Sequence, residues 1–300
     1  MRGPEIITRT LSLTTRPDPA GNRWQYRSRS DHHSKVACWA IAFDLLAESK
    51  LLRDHIAAGV VTFGINRQLN DFETGKKKDL DLVIARAPGK DPAGAAPTIG
   101  KSKPLAFDLN DLAKRYDIQL SIQDRQVLAD LNLPPAPVGI PGATVLAALE
   151  AKACMTEHIK ALPRLHDELT SSHGTVHGDT PNALSIGFVM VNTADQFWSP
   201  GRNAQLITVD NPPVVNRHVQ PHATERTVAM LKEVRRRAGP GSPQQGFDAL
   251  GIMLIDMTND GREVKLVTSP PAPPPGSSFS YEAMIRRAAH LYDVTFPGLA

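Results

Sequence analysis

The sequence contains few cysteines: only Cys38 and Cys154 occur among its 300 residues. Two thiols in a chain of this length form no disulfide framework, and no set of cysteines and histidines has the spacing of a structural zinc site. A disulfide-rich secreted domain and a zinc-finger module are therefore excluded. We expect a protein of the reducing cytoplasm.

Long apolar runs are also absent. The longest, residues 36–46, is interrupted by Asp44 and is much shorter than the roughly 20 residues that a helix needs to cross a bilayer. Residues 1–15 lack the apolar core of a signal peptide. We therefore expect no membrane role.

Aromatic residues and net charge are both low, at 5% and +3. The site of a glycosidase, which also uses two carboxylates, is usually richer in aromatic residues, so this class is disfavoured. The small positive charge neither requires nor excludes nucleic acid, because the acidic metal site of a nuclease cancels part of its basic groove.

Hydrophobic periodicity predicts a chain of mixed helices and strands. The predicted helices cover residues 34–50, 109–116, 157–171, 224–238 and 281–292. The predicted strands cover residues 60–65, 79–85, 143–153, 183–191, 251–257 and 264–267. This order predicts an α/β fold with a mixed central sheet flanked by helices.

Composition and the positions of proline- and glycine-rich segments divide the chain into an N-terminal arm and one larger domain. The arm covers residues 1–33 and the domain residues 34–300. We expect a core over residues 34–192, an insertion over residues 86–142 and a strand-and-helix extension over residues 193–300.

Two of the predicted strands carry acids and a lysine near their ends. Asp79 and Asp81 open one strand, and Glu150 and Lys152 close another. Residues two apart in a strand share a face, so each pair is expected to project together. Two carboxylates beside an ammonium could hold a divalent cation next to a proton-handling lysine, which is the equipment for hydrolysing a phosphodiester.

These residues and the order of the elements resemble the PD-(D/E)xK nuclease superfamily, the fold of type II restriction endonucleases. The resemblance covers roughly residues 34–192, with Asp81 in the second strand and Glu150 and Lys152 closing the third. The proline of the family name is absent, since Lys78 precedes Asp79. The fold implied is a restriction-endonuclease-like core with insertions.

The resemblance implies a Mg²⁺-dependent endonuclease that acts on duplex DNA, most simply a homodimeric type II restriction enzyme. Asp81 and Glu150 would ligate the ion together with the carbonyl group of Ala151. Lys152 would orient or deprotonate the attacking water, and deprotonation would require a lowered lysine pKa. The same fold serves repair nucleases and junction-resolving nucleases, and a non-catalytic nucleic-acid-binding module is a further alternative.

Two supporting acids remain open. Glu48 stands in the helix before the first core strand, where many members of the family carry an acid, but it also fits an outward-facing carboxylate. Asp79 is the alternative to Asp81 as the metal ligand, although we expect Asp79 to lie just before the strand.

Several basic residues are candidates for phosphate contacts. They are Lys76, Lys77 and Lys78 in one run, Arg235 and Arg236 in another, and Arg27 and Arg29 near the N-terminus. The last two are interleaved with Trp24 and Tyr26, which predicts either an arm that stacks on bases or a loop whose aromatic side chains pack into the core. Charge runs are also common on solvated surfaces, and the 235–237 run suits a helix C-terminus.

Two other segments have a less defined role. His173 and His177 could bind zinc, but their neighbouring glycines favour a turn. Alternating apolar residues over 7–13 predict a short strand in the N-terminal arm.

Overall fold

A computed structural model describes residues 1–15, 17–72, 75, 77–87, 105–135 and 144–299. The helices are α1 (Gly3–Leu11), α2 (His32–Glu48), α3 (Lys50–Ala57), α4 (Leu109–Arg115), α5 (Ile122–Asp130), α6 (His158–Asp179), α7 (His222–Glu233) and α8 (Tyr281–Thr295). The strands are β1 (Val61–Asn70), β2 (Lys77–Arg86), β3 (Leu105–Phe107), β4 (Val145–Cys154), β5 (Leu184–Asn192), β6 (Gln196–Trp198), β7 (Val215–Arg217), β8 (Ala249–Asp256) and β9 (Lys265–Val267).

Seven of the described strands form one mixed sheet in the order β3-β1-β2-β4-β5-β8-β9. The β1, β2 and β4 strands are antiparallel neighbours, whereas β4, β5 and β8 run parallel. The β2 and β4 strands, which flank the predicted insertion in the sequence, pair directly, with Leu82 opposite Leu149. The predicted α/β class with a mixed central sheet is confirmed.

Helices cover both faces of the sheet. On one face, α2 and α8 both pack against the sheet and α1 packs against α2, whose residues 36–43 are completely buried. On the other face, α6 and α7 pack over β4, β5 and β8. Within the described part of the chain, the helices lack the combination of length and apolar character that crossing a bilayer requires.

The N-terminal residues predicted as a strand form helix α1 instead. Ile7 and Leu11 are four residues apart, so the same apolar positions also define one helical face, and both side chains are fully buried. Asp44 of α2 accepts hydrogen bonds from the backbone N–H groups of Arg2 and Gly3 at 2.9 and 2.8 Å. This carboxylate satisfies the free donors at the start of α1, a tertiary contact that local sequence does not reveal.

Helix α6 is longer than its predicted range, and the predicted turn around His173 and His177 is wrong. Gly178 permits the continuation, because a Cβ atom there would lie 2.3 Å from Oδ1 of Asp71. Pro163 lies in the second turn of the helix without ending it. The insertion contributes β3, α4 and α5, with β3 at the sheet edge beside β1. Its residues 88–104 and 136–142 lie outside the described residues.

The amide of Asn192 joins the carboxyl ends of the three parallel strands. Its Nδ2 donates to the carbonyl groups of Met155, after β4, and Met257, after β8, at 2.9 and 2.8 Å. Its Oδ1 accepts from the N–H groups of Ala194 and Met257 at 3.1 and 3.0 Å. The side chain is completely buried, and all four of its hydrogen-bonding positions are used.

Replacing Asn192 with alanine is expected to destabilise the fold by about 3 kcal/mol or more, because each buried backbone group left without a partner costs roughly 1–3 kcal/mol. Chemical denaturation followed by circular dichroism measures the change. The control is Asn110→Ala on the exposed surface of α4, which should change stability by no more than about 0.5 kcal/mol. Equal stability of the two variants would contradict this role.

Candidate functional site

The candidate site lies where β2 and β4 meet. Asp81 of β2 reaches across to β4, and its Oδ2 accepts a hydrogen bond from the backbone N–H of Ala151 at 3.1 Å. Ala151 stands between Glu150 and Lys152. The structure therefore brings together the three predicted catalytic residues and the predicted backbone ligand.

Asp81 occupies an irregular point of the β1–β2 hairpin. Asn66 lies opposite it and adopts a left-handed conformation with a φ of 55°. Leu80 and Leu82 pack into hydrophobic clusters on different faces of the sheet, although a regular strand would place them on the same face. The regular alternation of side chains between the two faces of the sheet is therefore interrupted at Asp81. Asp79 is the third residue of β2, so the expectation that it lies just before the strand is wrong, and its side chain is exposed.

A buried lysine from α2 completes the surroundings of Asp81. The Nζ atom of Lys35, whose residue is 1% exposed, lies 2.9 Å from Asp81 Oδ1 and 3.1 Å from the Asp81 carbonyl oxygen. Burial opposes the charge on Lys35, but Asp81 raises the lysine pKa above its usual value. Burial likewise opposes ionisation of Asp81, but Lys35 and the Ala151 N–H group lower its pKa. The pair keeps Asp81 ionised and oriented.

Glu150 is 3% exposed and faces two ammonium groups. Its Oε1 lies 2.7 Å from Nζ of Lys152 and 3.5 Å from Nζ of Lys78. Its Oε2 is buried and has no hydrogen-bond partner among the described residues. Burial, followed by repulsion from Asp81, raises the pKa of Glu150 against the opposing effect of the lysines. A cation at Oε2 would relieve both effects.

Lys152 remains an ammonium. Burial alone would lower its pKa, but Glu150 and Glu168, the latter at 3.3 Å, raise it above the usual value. Of the two predicted roles, a charged Lys152 fits orientation of the attacking water and not its deprotonation. Lys78 differs from Lys152, because burial outweighs its acidic neighbours and its pKa lies below the usual value. The Nζ atom of Lys78 donates to the carbonyl oxygen of Glu168 at 2.7 Å and to the hydroxyl of Ser172.

A cleft of about 540 Å³ opens beside Asp81 and Lys152. Helix α6 lines it with Lys160, Arg164 and Glu168, which recur every four residues and therefore form one stripe. The Arg164 side chain is 82% exposed, and its Nε lies 2.6 Å from Oε1 of Glu168. Together with Lys152, this wall carries three cations, each of which forms an ion pair with a carboxylate: Lys152 with Glu150, Lys160 with Glu157 and Arg164 with Glu168.

The donor atoms at the site fit a hard cation. Asp81 and Glu150 provide carboxylate oxygens, and the unpartnered Oε2 of Glu150 is available for a ligand. The carbonyl of Ala151 projects to the same side as its N–H group, toward Asp81, as in any strand. Among the described residues, no group of three or more His, Cys, Asp or Glu side chains is placed to hold a metal. Mg²⁺ often uses only one or two protein carboxylates and completes its octahedron with water and phosphate oxygens.

The two predicted supporting acids do not reach the site. Glu48 is exposed at the last position of α2, whereas Lys35 lies near the first turn, so about 20 Å of helix separates them. Asp79 is exposed and accepts a hydrogen bond from Gln68 at 3.2 Å. The contribution of α2 to the site is therefore a lysine and not an acid.

The predicted phosphate contacts are scattered. Lys78 points toward Glu150, Lys77 is exposed, and Lys76 lies outside the described residues. Arg235 and Arg236 follow the end of α7, and the guanidinium of Arg236 lies 4.0 Å from the ring centroid of Phe279. Of the predicted contacts that the structure describes, none lines the cleft beside Asp81.

The N-terminal aromatic residues belong to the interior. Trp24 and Tyr26 are 1% and 9% exposed, so they pack as core residues and do not form a stacking platform. Arg29 is exposed and Arg27 is half-buried on the surface beside them. The alternative in which this loop packs its aromatic side chains into the core is the one observed.

Sequence reasoning missed four charged residues of the site: Lys35, Lys160, Arg164 and Glu168. The last three are spaced four residues apart within a predicted helix. The sequence alone could therefore have indicated that their side chains lie on one face of that helix. Lys35 carries no comparable pattern, because it stands at the edge of an apolar run and its partner is 46 residues away.

Comparison with known proteins identifies no relative. No family model matches the chain, no curated protein matches it, and no solved structure matches it.

Helix α6 contains three buried histidines. Burial lowers the pKa to about 4 for His158 and His173 and to about 3 for His177. The unfolded chain protonates such rings below pH 6.5, whereas the folded protein keeps them neutral, so the unfolded state binds more protons. Stability is therefore lost as the pH falls from about 6.5 toward 4.

We expect the free energy of unfolding, measured in urea at pH 7 and pH 5, to be lower at pH 5, with each ring contributing on the order of 1–3 kcal/mol. The double variant His173→Gln/His177→Gln should reduce this pH difference. His166→Gln, on an exposed position of the same helix, should leave it unchanged. A wild-type stability that does not decrease between these pH values would contradict the expectation.

Proposed function

We propose that the protein is a Mg²⁺-dependent endonuclease that hydrolyses phosphodiester bonds in duplex DNA. The observation that carries the proposal is the convergence of Asp81, Glu150 and Lys152, from two paired strands, beside a cleft. The unpartnered oxygen of Glu150 adds an available ligand for the ion.

The topology supports a restriction-endonuclease-like core. Helix α2 precedes the antiparallel strands β1, β2 and β4, and helix α6 then crosses over to β5, which runs parallel to β4. Acidic residues on the second and third core strands are the arrangement that the family resemblance implies. The buried free thiols of Cys38 and Cys154 suit the reducing cytoplasm that we propose for the protein.

In this proposal, Asp81, Glu150 and the Ala151 carbonyl hold the ion. Magnesium supplies Lewis-acid polarisation of the phosphate and acidifies water. The oxygen of the attacking water bonds to phosphorus as one P–O ester bond breaks, and the departing sugar oxygen takes up a proton. The Lys152 ammonium donates to the phosphate oxygens, whose charge increases at that moment. Glu150 and Glu168 keep this lysine charged.

A second candidate is a nucleic-acid-binding module without activity. Its support is the charge balance of the cluster, where Asp81, Glu150 and Glu168 face Lys35, Lys78 and Lys152. Three carboxylates and three ammonium groups neutralise one another without a metal. Incubation of mapped DNA, methylated and unmethylated, with Mg²⁺ or with EDTA distinguishes the two functions, because only the nuclease cuts and only with Mg²⁺.

The variants Asp81→Asn, Glu150→Gln and Lys152→Ala should each reduce Mg²⁺-dependent cleavage by about 100-fold or more, because each removes a metal ligand or a charge that stabilises the transition state. Cleavage of plasmid DNA measures the effect. Metal-free binding of DNA should persist in the two carboxylate variants, since repulsion from phosphates is reduced.

The matched control is Asp79→Asn, which removes the same charge from an exposed position of the same strand and should reduce cleavage less than Asp81→Asn. The reverse order would identify Asp79 as the ligand. Full activity in Lys152→Ala would refute the assigned chemistry.

We further propose a homodimeric type II restriction enzyme, because two active centres related by a two-fold axis cut both strands of a duplex. Light scattering should give about twice the chain mass of 32.6 kDa. Residues 86–142 and the chain after residue 224 are the candidate contact regions. A monomer that cuts one strand would indicate a nicking or repair nuclease, and a monomer that binds without cutting would favour the inactive module.

A further inference from the structure

In the nuclease reaction the attacking water loses a proton, and a positioned side chain commonly accepts it as a general base. Asp81 and Glu150 are assigned to the ion. Lys152 is an ammonium and has no lone pair with which to accept a proton. The base must therefore come from another residue of the cleft.

The other carboxylates that line the cleft are engaged in ion pairs. The carboxylate oxygens of Glu168 lie 2.6 Å from Nε of Arg164 and 3.3 Å from Nζ of Lys152. An oxygen of Glu157 lies 3.5 Å from Nζ of Lys160. Protonation would remove the negative charge that each carboxylate contributes to its ion pair, so neither is a suitable base.

The imidazole of His33 completes the titratable groups that line the cleft in the described part of the chain. Of the others, Cys154 and Tyr26 keep their protons, because burial raises the pKa of both side chains to about 12. The Nδ1 atom of His33 is buried and has no hydrogen-bond partner among the described residues. Its Nε2, at the far edge of the ring, is neither enclosed nor hydrogen-bonded by those residues, so its lone pair is open to the cleft.

The surroundings of His33 hold its ring in place and keep it neutral. The centroids of the His33 and Tyr26 rings are 4.7 Å apart, and Tyr26 is itself a core residue. Burial lowers the pKa of His33 to about 4, against the opposing effect of Asp81. The ring is therefore uncharged at pH 7, and with its proton on Nδ1 it presents Nε2 as an acceptor. The negative charge of a bound phosphate would act as Asp81 does and increase the basicity of this nitrogen.

We propose that Nε2 of His33 is the general base of the reaction. It accepts one proton of the attacking water while the water oxygen bonds to phosphorus and the P–O ester bond breaks. The departing sugar oxygen takes its proton from solvent water, and the imidazolium then returns its proton to solvent. The inference rests on the proposed nuclease function. It assigns the base to the first turn of α2 and leaves Lys152 to orient the water and to offset the charge on the phosphate.

Cleavage of a duplex by His33→Ala, followed at several Mg²⁺ concentrations, tests the proposal. The variant should cut about 100-fold or more slowly at saturating DNA, because general-base catalysis contributes roughly 10²–10⁴-fold. Its affinity for the duplex in EDTA should stay within about twofold of the wild type, since the base acts on the water and only in the transition state. Imidazole added to the buffer should restore part of the cleavage rate, because it can enter the space left by the ring.

A second variant and a control separate proton transfer from folding. His33→Gln retains a polar side chain that accepts hydrogen bonds but takes up no proton at neutral pH. It should cut as slowly as His33→Ala, with the circular dichroism spectrum and thermal midpoint of the wild type. The control His290→Ala, on the exposed surface of α8, should cut at the wild-type rate with or without imidazole. If His33→Ala does not fold, the rate of His33→Gln decides.

The possible failures are distinguishable. Cleavage at the wild-type rate by either His33 variant would overturn the base assignment and leave the nuclease intact. A slow His33→Ala that imidazole does not restore, but that regains its rate at higher Mg²⁺ concentration, would identify His33 as a metal ligand and also overturn the assignment. A wild type that binds the duplex without cutting it in Mg²⁺ would refute the nuclease itself, and the base with it.

Discussion

The buried amide of Asn192 is the constraint on which both the sheet and the site depend. It fixes the residues that follow β4 and β8 to the end of β5, so the carboxyl ends of three parallel strands keep a constant spacing. Its backbone carbonyl also accepts from His158 at the start of α6 and from the hydroxyl of Thr224 in α7. The candidate cleft lies at this junction, because Met155 and its neighbours line it. Because all the contacts are short and buried, the geometry of the candidate site follows from backbone hydrogen bonding and not from flexible loops.

The charged residues held by this backbone framework fall into a buried group and a group that faces the cleft. Lys35 and Asp81 are enclosed together, whereas Lys152, Lys160 and Arg164 face the cleft. The first pair sets the ionisation of a carboxylate at the cost of desolvating two charges, whereas each cation of the wall forms an ion pair with a carboxylate. Glu150 stands between these two environments, with one oxygen paired to lysines and the other without a partner among the described residues. A small oxygen-liganding cation is the species that this asymmetry fits best.

Much of the core could be predicted because it follows local periodicity. The continuous apolar segments of β5, β8 and α2 are strong patterns, and Glu150 and Lys152 fall at a strand end that such patterns locate. Other features depend on contacts between distant residues. The start of α1 is satisfied by Asp44, the extension of α6 depends on the approach of Asp71 to Gly178, and Lys35 meets Asp81 across the interface of helix and sheet. The break in alternation at Asp81 was likewise hidden, because the left-handed Asn66 that accompanies it lies on the neighbouring strand. Single-sequence patterns carry no information about such pairs.

The position of the Lys35–Asp81 pair along the chain has a consequence for folding. Both residues belong to the segment α2-β1-β2, and they are only 46 positions apart, whereas the contacts of Asn192 and Glu150 require residues made later. During synthesis from the N-terminus, α2 and the hairpin can therefore pack together with the lysine already neutralised, before β4 leaves the ribosome. A segment that would otherwise carry an unpaired charge in its apolar interface thus contains its own counterion. The electrostatic contact that orients a site residue in the finished protein also makes its first folding unit self-sufficient in charge.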